Sequence, residues 1–235
     1  MITLYGFGSY YGLPDQSPLV MKTMVQLKMA GLAFEVSVSG YMNAPKGRLP
    51  YIKDGAALVA DSTFIRKHIE NKYGVDLDNG LDRAQRIQSW TIERMVEDHL
   101  LWAITYVRWT KDENAAKANA LFAAAPEPLR TQLAEASRKR MLDNLQVQGF
   151  GRHSEEDVTE LCGRSLSALS AHLGDKPFLF GNTPTAVDAT AFGVFACLGT
   201  TYFDTPLTQK ARSFANLMAY RGRMMERFFP GFGMK

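Results

Sequence analysis

The chain has 235 residues, of which 46% are hydrophobic and 22% are charged. This composition is typical of a globular protein and excludes the collagen-like and largely disordered classes. The 27 basic and 24 acidic residues are interspersed and leave a net charge of only +3, without a run of like charge. Because binding to nucleic acid requires a basic surface, we predict no nucleic-acid partner.

The two cysteines, Cys162 and Cys197, lie within helical patterns and lack the CxxC spacing of a metal site. The four histidines have no paired spacing either, so we expect no bound metal. With only these two cysteines, we also expect no structural disulfide. The first residues lack the basic and apolar regions of a signal peptide, and no apolar stretch reaches the roughly 18 residues that span a bilayer. These features predict a cytoplasmic protein without a transmembrane segment.

The first third of the chain alternates short β-like runs with helical periodicity. It predicts four strands, at Ile2–Tyr5, Phe34–Val38, Tyr51–Lys53 and Ala57–Ala60. Between them, Ser17 and Pro18 begin a helix that reaches Ala30, and Ser62 caps a second helix that closes at Gly74. The order of elements is therefore βαβ followed by ββα.

Everything after about residue 80 has helical periodicity, so we predict a first domain at 1–76, a linker at 77–82 and an all-helical domain at 83–235. A long helix over 83–109 carries apolar residues from Ile87 to Trp109 on one broad face. Further helices are predicted at 113–145, interrupted near Pro126 and Pro128, and at 154–173, 185–199 and 209–228. Thr185 and Asp188 have the spacing of a helix capping box.

Several motifs resemble the glutathione S-transferase superfamily. The βαβ–ββα order, the tripeptide Leu49-Pro50-Tyr51 before the third strand and the pair Asp61-Ser62 before the next helix resemble its glutathione-binding half. The segment SPLVMKTMVQLKMAGLAFE is similar to the serine-type transferases of the tau and omega kind, whereas RMVEDHLLWAITYVRW and NLMAYRGRMMERFFP resemble the failed-axon-connections and metaxin-like branch. The resemblance covers nearly the whole chain. It implies an α+β two-domain fold, with a thioredoxin-like N-terminal domain and an all-α C-terminal domain.

The resemblance implies that Ser17 binds the thiolate of glutathione. A free thiol with a pKa near 8.5 is mostly protonated at neutral pH, and a pKa lower by about two units requires roughly 2.7 kcal/mol. A hydroxyl that donates to the sulfur at a helix N-terminus can supply this energy. Two alternatives stay open: Ser17 is only a helix cap, or Tyr5 or Tyr10 binds the thiolate, as tyrosines do in other transferase classes.

The resemblance also assigns the rest of the glutathione site. Pro50 is expected to follow a cis peptide bond, so that the main chain of Leu49 pairs with the cysteinyl residue. Asp61 and Ser62 are expected to bind the γ-glutamyl end, and Arg48 the glycine carboxylate. The alternatives are that Pro50 only opens a strand, that Asp61 and Ser62 only cap a helix, and that Arg48 is only a solvated surface residue.

The second substrate is expected between the loop after the first strand and the long helix. The candidates for the apolar walls of its pocket are Tyr10, Tyr11, Trp102, Tyr106 and Trp109, of which we expect about two to touch a ligand, because aromatic stripes at helical spacing usually pack in the core.

The resemblance thus implies an enzyme that activates the thiol of glutathione, its co-substrate, for reaction with a small hydrophobic electrophile. The alternative is a non-catalytic glutathione-binding or scaffold protein of the metaxin-like type. Because dimers are usual in the superfamily, a homodimer is also an expectation.

Overall fold

The computed structural model of the protein describes residues 1–119, 122–123 and 125–232. The first part of the chain forms strands and helices in this order: β1 (Ile2–Tyr5), α1 (Pro18–Met29), β2 (Phe34–Ser37), β3 (Tyr51–Asp54), β4 (Ala57–Ala60) and α2 (Ser62–Tyr73). The predicted βαβ–ββα order and the predicted strand positions are confirmed to within one residue.

The strands form one mixed sheet in the order β2-β1-β3-β4. β1 runs parallel to β2, whereas β3 runs antiparallel to both β1 and β4. In this register Tyr5 lies opposite both Ser37 and Tyr51, and Tyr51 lies opposite Ala60. The ends of β1, β2 and β4 and the beginning of β3 therefore meet at one edge of the sheet.

The rest of the described chain is helical, which confirms the predicted all-α C-terminal half. Its helices are α3 (Arg83–Met95), a π-helical turn (Val96–Leu100), α4 (Leu101–Trp109), α5 (Asp112–Asn119), α6 (Leu129–Gln148), α7 (Glu155–Leu173), α8 (Ala186–Leu198), α9 (Pro206–Arg212) and α10 (Ala215–Phe228). The segment 77–82 lies between α2 and α3.

Three details of the helical prediction are wrong. Ile87 and Trp90 are 61% and 51% exposed, so the apolar face assigned to residues 83–109 does not point uniformly into the core. The predicted helix over 209–228 is two helices, because Phe214 has extended backbone angles and a Thr205–Thr208 capping box begins α9 earlier. Asp61, not Ser62, is the N-cap of α2, since its carboxylate accepts from Thr63 N.

Helix α1 lies between the sheet and α8 and is buried along most of its length. Lys22 on α1 is inaccessible to solvent, and its Nζ lies 2.8 Å from Glu93 Oε1 and 2.6 Å from Glu97 Oε1. A buried charge is tolerated only where it is paired in this way. The ion pairs therefore join α1 to α3 and to the π-helical turn that follows it.

Helix α8 is buried at every residue. The predicted capping box at its start is confirmed: Thr185 N donates to Asp188 Oδ2 at 2.8 Å, and Leu179 N donates to Asp188 Oδ1 at 2.9 Å. The hydroxyl of Tyr220 also donates to the main-chain oxygen of Asp188 at 3.0 Å. α8 is thus a fixed support for α1.

The contact between α8 and α1 requires a glycine. A Cβ at Gly193 would lie 2.3 Å from the carbonyl oxygen of Pro18, which is in the first turn of α1. We therefore expect Gly193→Ala to destabilise the chain by about 1–3 kcal/mol through overpacking. The free energy of unfolding, measured by chemical denaturation, tests this expectation.

The matched control is Gly222→Ala, because a Cβ at Gly222 in α10 would meet no atom within 4 Å. Alanine is the better helix former, so this variant should gain about 0.5–1 kcal/mol. Equal effects of the two substitutions would contradict the proposed packing constraint at Gly193.

Candidate functional site

The sheet brings two of the predicted site segments together. Pro50 precedes β3 and Asp61 follows β4, and the register places these two strand ends side by side. Asp61 N donates to the carbonyl oxygen of Pro50 at 3.2 Å, which joins the two positions directly. Ser17 lies after the loop that follows β1 and lines a cavity whose described lining does not include Pro50 or Asp61.

Ser17 is the N-cap of α1, with extended backbone angles before Pro18 at the first helical position. Its Oγ accepts a long hydrogen bond of 3.4 Å from Val20 N. An accepting hydroxyl still has its own proton to donate, and Ser17 also lines a cavity. The helix-cap role and a donor role toward a ligand are therefore compatible in this geometry.

The peptide bond between Leu49 and Pro50 is cis, as predicted. Both ladders of β3 begin at Tyr51, so the main chain of Leu49 lies just before the paired residues. Its main-chain groups lie outside both ladders, where an added peptide could pair with them.

Asp61 has a φ of 82°, a left-handed backbone conformation that is unusual for a residue other than glycine. Such strain costs on the order of 1–3 kcal/mol and occurs most often at ligand sites. Its carboxylate is exposed at the start of α2, while Ser62 beside it is buried and Arg48 is exposed. Asp61 and Ser62 thus lie where a helix N-terminus meets the edge of the sheet.

A cavity of about 380 Å³ opens between the loop after β1, α4 and the region of α6. Of the five predicted aromatic residues, Tyr11 and Trp109 line it. Tyr10, Trp102 and Tyr106 are half-buried outside its lining. Tyr5 does not line it either, because its ring stacks on Tyr51 with 4.1 Å between centroids. Ser17 is therefore better placed for a ligand in this cavity than Tyr5 or Tyr10.

Tyr11 has properties that the sequence analysis did not anticipate. Its φ of 58° turns the ring into the core, and its hydroxyl donates to the main-chain oxygen of Ala118 at 3.5 Å. Burial raises the pKa of Tyr11 to about 12, so the hydroxyl stays protonated at neutral pH. Tyr11 therefore lines the cavity with its one hydroxyl proton already donated to the main chain.

The sequence analysis also missed the face of α4 that contacts the cavity. Leu101, Ile104, Thr105 and Arg108 recur at helical spacing and line it. The predicted stripe of Trp102 and Tyr106 is offset by one residue, which corresponds to a turn of about 100° around the helix. An arginine within an otherwise apolar helical face was the signal that could have identified this side.

Asp15 is another residue that sequence reasoning missed. It is fully buried, and its carboxylate accepts from Phe7 N at 2.9 Å, Gly8 N at 2.8 Å and Ser17 N at 2.7 Å. Burial raises the pKa of Asp15 to about 6, although these main-chain donors and Arg108 act in the opposite direction. Asp15 therefore fixes the loop after β1 against the start of α1.

A larger groove of about 750 Å³ lies between α7 and α9. It is an open surface feature lined mainly by residues of these two helices, and it does not include the sheet edge. We therefore place the candidate site at the smaller cavity beside Ser17.

Among the described residues there is no group of three or more metal-ligating side chains, and none of the described helices combines the length and apolarity needed to cross a membrane.

Comparison with known families agrees with this arrangement. The family model of the glutathione S-transferase N-terminal domain matches residues 18–114, and that of the C-terminal domain matches residues 162–224. An isoprene-epoxide–glutathione S-transferase of Rhodococcus is 36% identical over 82% of this chain and 84% of its own length. The chain belongs to the glutathione S-transferase family.

Two other relatives connect this transferase-family chain to the branch that the sequence resembles. Failed axon connections of Drosophila melanogaster is 32% identical over 98% of this chain, which spans only 58% of that relative's length. Metaxin-2 of Mus musculus is 28% identical over 82% of this chain and 74% of its own length.

The fold is also that of solved transferases. A glutathione transferase family member of Pseudomonas fluorescens, with two glutathione bound, superposes with a TM-score of 0.62. It is 16% identical to this chain and covers 96% of it, with 88% of its own length matched. This similarity confirms the predicted glutathione S-transferase fold.

The raised pKa of Asp15 has a consequence for stability. Between its ordinary value of 3.8 and about 6, the folded chain holds a proton that the unfolded chain releases. The contribution of Asp15 to stability therefore falls as pH rises through that range, by up to about 3 kcal/mol.

The test compares the free energies of unfolding of the wild type and Asp15→Asn across this pH range. The variant should be less stable throughout, because an amide satisfies fewer of the main-chain donors. The difference in the free energy of unfolding between wild type and variant should nevertheless narrow as pH rises. A gap that widens with pH would mean that the pKa of Asp15 is lowered by folding.

Proposed function

We propose that this chain is an enzyme that binds glutathione at the sheet edge, activates its thiol through Ser17 and joins it to a small electrophile. The observation that carries the proposal is the position of Ser17. It lies at the N-terminus of α1 and lines the cavity.

The Ser17 hydroxyl acts as a donor to sulfur and not as a base. A hydrogen bond to a charged acceptor contributes about 1.5–3 kcal/mol, and the positive end of α1 adds roughly 0.3–2 kcal/mol. Together these effects are large enough to lower the pKa of the thiol by about two units. Val20 N donates to the same oxygen, which orients the hydroxyl proton away from the helix.

The remaining parts of glutathione fit the other predicted positions. The main chain of Leu49 pairs with the cysteinyl residue in the manner of an added strand. The γ-glutamyl carboxylate binds at Ser62 and the N-terminus of α2, while the exposed carboxylate of Asp61 accepts from its ammonium group. Arg48 is exposed next to Leu49 and is free to reach the glycine carboxylate.

The second substrate that we propose is a small hydrophobic electrophile. Its cavity of about 380 Å³ lies beside Ser17 and has Tyr11 and Trp109 in its walls, which suits a compact apolar molecule. The name of the Rhodococcus relative specifies an epoxide as the substrate of that enzyme. An epoxide is therefore the first class of electrophile to assay.

Pairing of two copies is part of the proposal. Leu58 on β4, Phe64 on α2, and Ile87 and Trp90 on α3 are each more than half exposed. Where exposed apolar side chains form one contiguous patch, they are typical of surfaces that associate. Burial against a second copy would remove them from water.

The alternative is a protein that binds glutathione, or only retains the fold, and serves as a scaffold. The similarity to Failed axon connections and metaxin-2 keeps this alternative open. The two proposals differ in one property: only the enzyme needs to lower the pKa of bound glutathione.

Ser17→Ala tests the enzymatic proposal. We expect the variant to bind glutathione but to raise the pKa of the bound thiol by about 1–2 units, because the charged sulfur loses its donor. The pKa follows from the ultraviolet absorbance of the thiolate as a function of pH, and turnover at neutral pH should fall about 10–100-fold in parallel.

Two controls separate this effect from other causes. Ser154→Ala removes the N-cap of α7, which is not part of the described lining of the cavity, and should affect stability but not the thiol. Tyr11→Phe tests the other hydroxyl of the cavity. If Tyr11→Phe raises the pKa and Ser17→Ala does not, the assignment to Ser17 is wrong. A wild-type chain that leaves the pKa of bound glutathione unchanged supports the scaffold alternative.

A further inference from the structure

Arg108 is a charged residue in the apolar wall of the cavity. It lies on α4 one residue before Trp109, and its side chain lines the same cavity as Ser17. The Nε and Nη2 atoms of Arg108 are inaccessible to solvent and have no hydrogen-bond partner among the described residues. Buried donors of a charged group are almost always paired, so this arrangement indicates that a ligand supplies the acceptor.

The neighbours of Arg108 do not supply one. Its guanidinium lies over the ring of Tyr11, with 4.9 Å to the centroid, and near the ring of Phe203 at 5.7 Å. Aromatic faces attract the positive charge but leave the in-plane N–H groups free.

Two other titratable groups are close enough to sense this charge. Asp15 is one of them, but its carboxylate already accepts from the main-chain N–H groups of Phe7, Gly8 and Ser17. Cys197 is the other: burial raises the pKa of its thiol, while Arg108 acts in the opposite direction by its charge and as a hydrogen-bond donor. Nε and Nη2 of Arg108 still have no acceptor among the described residues.

The charged residues that line the cavity are all positive among those that the structure describes. Arg108 and Arg140 both line it, and the lining residues that the structure describes include no aspartate or glutamate. A cavity of this kind favours a substrate whose oxygen is negative or becomes negative during the reaction.

We propose that Arg108 binds the oxygen of an epoxide and makes the cavity selective for electrophiles that become alkoxides when sulfur adds. This inference rests on the proposed function. The thiolate attacks a ring carbon, a C–S bond forms and the C–O bond breaks, and its electron pair goes to the oxygen. The alkoxide then takes a proton from water. Arg108 stabilises the negative oxygen by donating hydrogen bonds from its unpaired N–H groups.

The test compares two electrophiles of equal size, a small alkyl epoxide and the alkyl iodide of the same chain length. Displacement of iodide places no charge on oxygen, so it does not need Arg108. For Arg108→Gln we expect kcat/KM to fall about 100-fold with the epoxide and less than about threefold with the iodide. The KM for glutathione should stay unchanged with both.

Arg164→Gln is the matched control, because Arg164 is exposed on α7 outside this cavity and its loss changes the net charge equally. It should alter neither reaction. If Arg108→Gln fails to fold, as judged by circular dichroism and thermal unfolding, Arg108→Lys takes its place. The lysine keeps the charge and the apolar stem but loses the planar donors, and we expect an epoxide-specific loss of about tenfold.

The outcomes are distinct. An equal loss with both electrophiles means that Arg108 only packs on Tyr11, and this overturns the inference. A wild-type chain that turns over the iodide but not the epoxide overturns it as well and leaves the proposed function standing. A wild-type chain that turns over neither contradicts the proposed function, and the inference fails with it.

Discussion

The position of α1 between the sheet and α8 is the constraint on which the rest of the structure depends. The N-terminus of this helix must point at a fixed place, because the site is built around its first residue. Gly193 permits the close approach of α8 to Pro18, and the buried pairs of Lys22 with Glu93 and Glu97 hold the same helix against a second element of the helical half. A helix held by two such elements cannot tilt without breaking an ion pair or opening the core.

The hydrogen-bond donors of the site fall into two groups, those bound by a carboxylate of the protein and those that face the cavity. The main-chain donors of the loop after β1 are taken by the buried carboxylate of Asp15. The hydroxyl of Ser17 and the guanidinium of Arg108 face the cavity with donors to spare. The protein thus uses one internal anion to fix the loop and leaves its remaining donors for ligand atoms that carry negative charge. Preorganised donors of this kind need no rearrangement when charge develops.

Much of this could be predicted from sequence because the signals are local. The capping box of Thr185 and Asp188 and the strand ends depend on residues that are neighbours in the chain. The cis bond before Pro50 was instead implied by the family resemblance. The face of α4 could not be fixed in the same way. The face that contains Trp102 and the face that contains Arg108 both repeat with helical spacing. Only the packing of α4 against the loop after β1 decides which of the two faces lines the cavity.

Asp15, and the buried hydroxyl of Tyr11, were missed for a related reason. A carboxylate or a tyrosine in a glycine-containing loop has no periodicity, so nothing in the local pattern reveals that both are buried. The roles of Ser17, Leu49, Asp61 and Ser62 toward glutathione stay predictions, because they follow from the family resemblance and not from the packing of the chain.

The most direct measurement is a crystal structure of the chain soaked with glutathione. Our account predicts that the tripeptide pairs with the main chain of Leu49 and that its sulfur lies within hydrogen-bond distance of Ser17 Oγ, facing the cavity that contains Arg108. A sulfur that contacts Tyr11 instead, or a peptide that binds away from the edge formed by Pro50 and Ser62, would contradict it.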